Sequence, residues 1–291
     1  MRRTYTRDQV EPCGSNERQN IVELEHGTRL FRTLFISDVH LGARGCQAER
    51  LLDFLRYHDA ETIYLVGDIV DMWQLRNGWY WPQAHNDVVQ KLLRKARKGT
   101  KVVYVPGNHD EALRDYVDMQ FGGVTVVADA VHTTADGRRL LVIHGDQFDG
   151  VVCYAKWLAF LGDRAYTLMI EVNHWFNLAR RALGYPYWSL SAYLKARVKN
   201  AVDFVSRFAG AVATEAKRRG LDGVVCGHVH KAEITTLDGV LYCNDGDWVE
   251  SCTALVEHWD GRLEILHWAE VRALPVWKPS RRPAPVLARQ A

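Results

Sequence analysis

The sequence predicts an α+β sandwich built on a mixed sheet, and three observations carry that prediction. From Thr33 onward, short apolar runs rich in β-branched residues end abruptly in polar, potentially ligating residues, with helical stretches between them. The last third changes to alternating segments joined by Asp-Gly pairs, the pattern of antiparallel hairpins. Between the two regions lies a long aromatic stretch that fits neither pattern and reads as a helical hairpin or cap inserted between strands.

Taken in order, residues 1–29 are polar and without periodicity, so they read as a flexible arm before a domain over 30–272. The apolar runs are Thr33–Ile36, Thr62–Val66, Lys101–Val105, Arg139–Ile143 and Leu221–Cys226. Continuous runs of this length suit strands buried on both faces, with helices packed over them. Gln47–His58 places Leu51, Leu52 and Leu55 on one helical face, and Asp87–Lys98 does the same with Val88, Leu92 and Leu93 before Gly99. The cap falls at about 150–200 and carries, among others, Tyr154, Trp157, Phe160, Trp175, Tyr187 and Trp188, with Gly184-Tyr-Pro186 breaking it in the middle. Glu233–Leu237 with Val240–Asn244, and Thr253–Trp259 with Arg262–Trp268, are the two hairpins. Residues 273–291 are basic and Pro-rich and read as a disordered tail.

Composition excludes several classes. Among 291 residues, 47% are hydrophobic and 25% charged, as in a soluble globular protein. A net charge of +2 gives no electrostatic footprint for nucleic acid, and none is expected as a partner. Six cysteines without a C-x-x-C pair argue against a disulfide framework and a zinc ribbon, and fit a reducing cytosol. The N-terminus lacks the apolar core of a signal peptide, and no stretch is long and apolar enough to span a bilayer.

The chemistry lies where the five runs end. They deliver Asp38-Val-His40, Gly67-Asp68, Gly107-Asn108-His109-Asp110, His144-Gly-Asp146 and Gly227-His228-Val-His230. Each motif alone is weak; five in succession, each directly after a strand, point to a site carried by loops on a rigid scaffold. Carboxylate, imidazole and amide oxygen without thiolate suit Mn²⁺, Fe²⁺ or Zn²⁺ in a catalytic rather than a structural role. Asp38, His40, Asp68, Asn108, His144, His228 and His230 are the expected ligands of two ions about 3.5–4 Å apart, which clamp the oxygens of an in-line displacement at phosphorus. A bridging ligand should be a carboxylate offering one oxygen to each ion, and Asp68 is the natural candidate.

These motifs, over about residues 33–250, resemble the calcineurin-like metallophosphoesterases. The resemblance implies a four-layer α/β-β/α sandwich of the metallophosphoesterase type with an inserted helical cap. It implies one ion on Asp38, His40, Asp68 and His230, and a second on Asp68, Asn108, His144 and His228. His109 would then stand near the phosphate oxygens, where it could stabilise charge or protonate the leaving group, with Asp110 orienting it. More narrowly, Ser37–Gly42, Gly67–Trp73, the aromatic insert and Asn244–Glu250 resemble the UDP-2,3-diacylglucosamine pyrophosphohydrolases. That resemblance implies a Mn²⁺ enzyme cleaving a lipid-linked sugar nucleotide to UMP and 2,3-diacylglucosamine 1-phosphate. It further implies a cytoplasmic protein in peripheral contact with the inner face of the inner membrane. The chain departs from that branch at His109, where the branch carries arginine.

On the substrate side, Trp73 is expected as a pocket wall, Lys195 and Lys199 as phosphate-recognising cations, and Asp146 as a partner that fixes ligand geometry beside the substrate. Trp248 would close the last hairpin onto the sheet. The remaining histidines follow no ligand spacing. Two other functions compete: a phosphodiesterase or phosphatase acting on nucleotides or another phospholipid, and a scaffold that has lost its metals. The scaffold requires a broken ligand position, and the sequence has none.

Overall fold

The computed structural model describes residues 22–24, 28–151 and 205–268. The expected cap and tail, with Lys195 and Lys199, lie outside the described residues. Within them the chain forms β1 (Val22–Leu24), β2 (Thr28–Ile36), α1 (Ala48–Tyr57), β3 (His58–Val66), α2 (Met72–Asn77), α3 (Gln83–Arg97) and β4 (Lys101–Val105). A 3₁₀ turn (Glu111–Tyr116) leads to β5 (Gln120–Phe121), β6 (Val124–Val126), β7 (Ala130–Thr133) and β8 (Arg139–Val142), followed by a second 3₁₀ turn (Asp146–Val151). A helix over residues 205–218, α4, precedes β9 (Gly223–Cys226), β10 (Glu233–Leu237), β11 (Val240–Asn244), β12 (Thr253–Glu257) and β13 (Leu263–His267).

Two mixed sheets stack face to face. The first has the order β13-β12-β2-β3-β4-β6-β5, with β1 on β2; the second is β10-β11-β9-β8-β7. The central strands β2, β3, β4 and β6 are mutually parallel, as are β11, β9 and β8. Phe35, Tyr64, Val66 and Val103 of the first sheet meet Leu140, Val142, Val225 and Cys243 of the second in a dry layer. Leu51, Phe54 and Leu55 of α1 and Val88 and Leu92 of α3 cover the outer face of the first sheet. Phe208, Val212 and Ala216 of α4 cover the second against Leu141, Val224 and Tyr242. The four layers are therefore helix, sheet, sheet, helix, each helix burying one apolar stripe.

Several elements extend or add to the sequence pattern. Val22–Leu24 pairs antiparallel with Thr28–Leu30, inside the stretch expected to be a loose arm. β3 begins at His58, immediately after α1, because the His58 ring is buried and stacks between Phe31 and Phe54. Burial pulls the His58 pKa down to about 4. Both expected hairpins form, and Trp248 is fully buried against Phe54. Among the described residues, Cys46, Cys226, Cys243 and Cys252 carry free thiols.

Candidate metal centre

Parallel pairing brings the C-terminal ends of β2, β3 and β4 to one edge, and those of β8 and β9 to the same edge of the second sheet. Among the described residues, five of the eight non-glycine residues with positive φ are expected ligands: Asp38, His40, Asp68, His228 and His230. Such backbone costs about 1–3 kcal/mol per residue and persists only where the surroundings impose it. The surroundings are the loops themselves. Asp38 N donates to Gly67 O, His40 N to Asp68 O, and Trp248 N to Asp38 O. Gly107 and Gly227 let the loops close, since a Cβ at either would overlap Asp68 and His144, or Ser37 and Asp38.

The side chains gather into two adjoining clusters. Asp38, His40 and His230 present donor atoms within 4.8 Å of one another, and so do Asp68, His144 and His228. Asp68 Oδ2 links the two, 3.8 Å from His40 Nε2 and 3.4 Å from His144 Nε2. Its other oxygen accepts from His109 N at 2.8 Å. Asp68 Oδ2 is thus the oxygen that faces both clusters, while Oδ1 is held by the loop backbone. Asp38 is aimed the same way: Ser37 Oγ and His228 N donate to Oδ2 at 2.6 and 2.8 Å, leaving Oδ1 toward the cluster.

The donor set fits divalent ions by a direct test. His40 Nε2, Asp68 Oδ2, Asn108 Oδ1 and His144 Nε2 are buried without a hydrogen-bond partner among the described residues, and Asp38 Oδ1 lies 3.0 Å from His230 Nε2. Buried polar atoms are normally satisfied; these five belong to expected ligands, while Asp245 Oδ2, Trp248 Nε1 and His258 Nδ1 are unsatisfied outside that set. Burial pushes the Asp38 and Asp68 carboxyls up, but His230 beside Asp38 and His144 beside Asp68 hold both below the usual range. Burial disfavours the His144 cation, yet Asp68 and Asp38 raise it to about 10. The same negative field would attract a metal.

Around this core two expectations are corrected. Asp110 does not orient His109: it is buried beneath the loop, where Oδ2 accepts from Ile69 N and Tyr104 Oη and Oδ1 from Gly107 N. Its role is to hold the loop that presents Asn108. The carboxylate beside His109 is Asp71, whose Oδ1 lies 3.0 Å from His109 Nδ1. Asp71 Oδ2 is 3.1 Å from His40 Nδ1, and Oδ1 also caps α2 through Gln74 N. Burial pushes the Asp71 carboxyl up, and the imidazoles of His109 and His40 hold it below the ordinary range. Asp146 does not fix His144, whose Nδ1 lies 2.9 Å from Val66 O; it instead pairs with Arg114 at 2.6 Å. Asp71 and Arg114 are the residues that motif spacing missed. Asp71 had a signal, a second acidic side chain three residues beyond Asp68; Arg114 had none. Trp73, 41% exposed, lays its ring over His109 with centroids 4.3 Å apart.

The family model for calcineurin-like phosphoesterases matches residues 31–232. A UDP-2,3-diacylglucosamine hydrolase of Xanthomonas campestris pv. campestris is 30% identical over 244 residues, covering 79% of this chain and 96% of its own length. One of the same name from Neisseria meningitidis serogroup B is 27% identical over 227 residues, covering 74% and 88%. Among solved structures, vacuolar protein sorting 29 of Cryptosporidium parvum aligns with a TM-score of 0.40 at 14% identity, covering 80% of this chain and 94% of that one.

Proposed function

The chain belongs to the calcineurin-like phosphoesterase family, a phosphohydrolase dependent on divalent metal, and on that premise we propose that it cleaves UDP-2,3-diacylglucosamine to UMP and 2,3-diacylglucosamine 1-phosphate with Mn²⁺. The observation that carries the reaction is the pair of adjoining donor clusters joined through Asp68 Oδ2. The choice of substrate is supported by the UDP-2,3-diacylglucosamine hydrolases of Xanthomonas campestris and Neisseria meningitidis, which match most of the chain. Asp38, His40, Asp68 and His230 would hold one ion, and Asp68, Asn108, His144 and His228 the other. When bound, two such ions lower the pKa of the attacking water and neutralise charge on the phosphoryl oxygens. His109, held by Asp71, would give its Nε2 proton to the departing oxygen. Trp73 would wall the pocket and restrict water beside that imidazole.

The Asp71–His109 pair also favours a second reading, a phosphodiesterase acting on nucleotides or another phospholipid. A departing alkoxide needs a proton more than a departing phosphate does. Incubating the Mn²⁺-loaded protein with UDP-diacylglucosamine, a CDP-lipid and bis-p-nitrophenyl phosphate, with products followed by ³¹P NMR, separates the two. Preferred release of UMP supports the first reading. Turnover of the diester with the UDP-lipid left intact sinks it.

Peripheral contact with a membrane is part of the proposal. No helix among the described residues is long and apolar enough to cross one. Trp79 is 79% exposed beyond α2, next to Tyr80, over whose ring Arg44 lies at 4.7 Å. Aromatic and cationic side chains together suit an anionic lipid surface. Trp79→Ser should lower the fraction sedimenting with phosphatidylglycerol vesicles; unchanged sedimentation counts against this contact.

A further inference from the structure

A diphosphate substrate presents two phosphoryl groups, and two ions on the clusters above would engage the one under attack. The second group carries its own negative charge and needs a cation outside the ligand set. We infer that Arg114 is that cation, the residue that recognises the phosphoryl group not attacked; this rests on the diphosphate reading above.

The placement comes from two of the four loops that would hold the second ion, those carrying Asn108 and His144. Arg114 Nη2 donates to Asp146 Oδ2 at 2.6 Å, two residues past His144, and to Pro106 O at 3.4 Å, two residues before Asn108. The guanidinium is thereby tied beside Asn108 and His144 without touching either. A guanidinium has five N–H donors in a planar fork. Nη2 is committed, while Nη1 and Nε make no hydrogen bond among the described residues, and the side chain is 43% exposed. Both two-donor edges of the fork include Nη2, so Nη1 and Nε remain as two separate donors on a partly exposed side chain, each able to give one charge-assisted contact to a phosphate oxygen. Asp146, with a side chain only 8% exposed, would otherwise repel an incoming anion. Its pairing with Arg114 removes that repulsion and fixes the rotamer of a side chain that is costly to order. The same carboxylate that anchors the arginine is thus masked by it.

The test is nucleotide binding to the full-length, Mn²⁺-loaded protein by calorimetry, comparing UMP with UDP. Wild-type protein should bind UDP more tightly than UMP. In Arg114→Gln the dissociation constant for UDP should rise about 10- to 100-fold, the scale of a charge-assisted contact, bringing the UDP-to-UMP preference close to one. A strut between loops would instead weaken both nucleotides together and lower the melting temperature. Arg114→Lys keeps the charge on a single nitrogen already drawn to Asp146 and serves if the Gln variant does not fold; it should still lose most of the preference. An unchanged UDP-to-UMP ratio in both variants overturns the inference, as does equal weakening of both ligands. If the ratio collapses but UDP-diacylglucosamine is not cleaved, the substrate reading falls and the phosphate site stands. If the lipid is cleaved and the ratio does not move, only the inference on Arg114 falls.

Discussion

His109 Nδ1 stands 3.0 Å from Asp71 Oδ1, a carboxylate that also lies 3.1 Å from His40 Nδ1 through its other oxygen. One side chain therefore orients both the imidazole proposed to protonate the leaving group and one proposed to ligate the first ion. A carboxylate on the far nitrogen fixes the tautomer and ring plane of each histidine.

His109→Ala is expected to lower kcat by about 100-fold or more, the scale of general acid catalysis. Asp71→Asn keeps the cap on Gln74 and should lose most of the same factor. The double variant should be little worse than His109→Ala alone, because the two act as one unit. Fully multiplicative losses in steady-state kinetics would separate them.

Asp68→Ala and His228→Ala should each lower turnover at least about a thousandfold, as expected when several kcal/mol of charge stabilisation at phosphorus is removed. Circular dichroism should report an intact fold and elemental analysis a loss of metal. Wild-type rates under saturating Mn²⁺ would refute the ligand assignment.

Chelation should make stability depend on pH. His144 is raised from 6.5 to about 10 in the field of Asp68 and Asp38. A raised histidine contributes stability that is fully present below the unfolded value and is lost as pH rises through the folded one. Protein treated with EDTA should therefore lose melting temperature between about pH 6.5 and pH 10, and His144→Asn should flatten that slope. Mn²⁺ binds the neutral imidazole, so its affinity should grow over the same window. A chelated protein with a flat melting profile would contradict the coupling.

Asp245 offers a stabilising substitution beside the centre. Ser37 Oγ lies 2.6 Å from both Asp38 Oδ2 and Asp245 Oδ1, and it has one proton to give. Burial, with Asp38 nearby, pushes the Asp245 carboxyl well above 3.8. A carboxyl raised on folding costs stability above its unfolded value, and the cost grows as pH rises toward the folded one. Asp245→Asn should accordingly be more stable than wild type above about pH 4, by about 1–2 kcal/mol or a few degrees. Thermal melts in which the variant is less stable at pH 7 would show that the ionised carboxylate is needed.

Much of this was legible along the chain. The runs ending at Ile36, Val66, Val105, Ile143 and Cys226 are local signals, apolar content followed by a ligand-rich turn, and each strand lies where its run does. The two Asp-Gly hairpins were equally local. α2 and β5–β7 were not legible, because six residues capped by Asp71 and strands of two to four residues carry too little periodicity to register. Asp110 was misjudged for a related reason: adjacency to His109 in sequence suggested contact, while the turn sends its side chain under the loop toward Tyr104.

What the sequence determined by itself is the set of donor atoms, because a carboxylate or imidazole at a strand end declares its chemistry without reference to its neighbours. What only the tertiary structure decided is how those donors are grouped and held. Asp68 Oδ2 faces both clusters because His109 N occupies Oδ1; Asp71 serves two histidines; Arg114 ties the Asn108 and His144 loops. Each of these is a contact across loops from different strands; the partner is chosen by the parallel pairing of β2, β3 and β4 and, for Arg114, by the stacking of the two sheets, a packing result that no local pattern encodes.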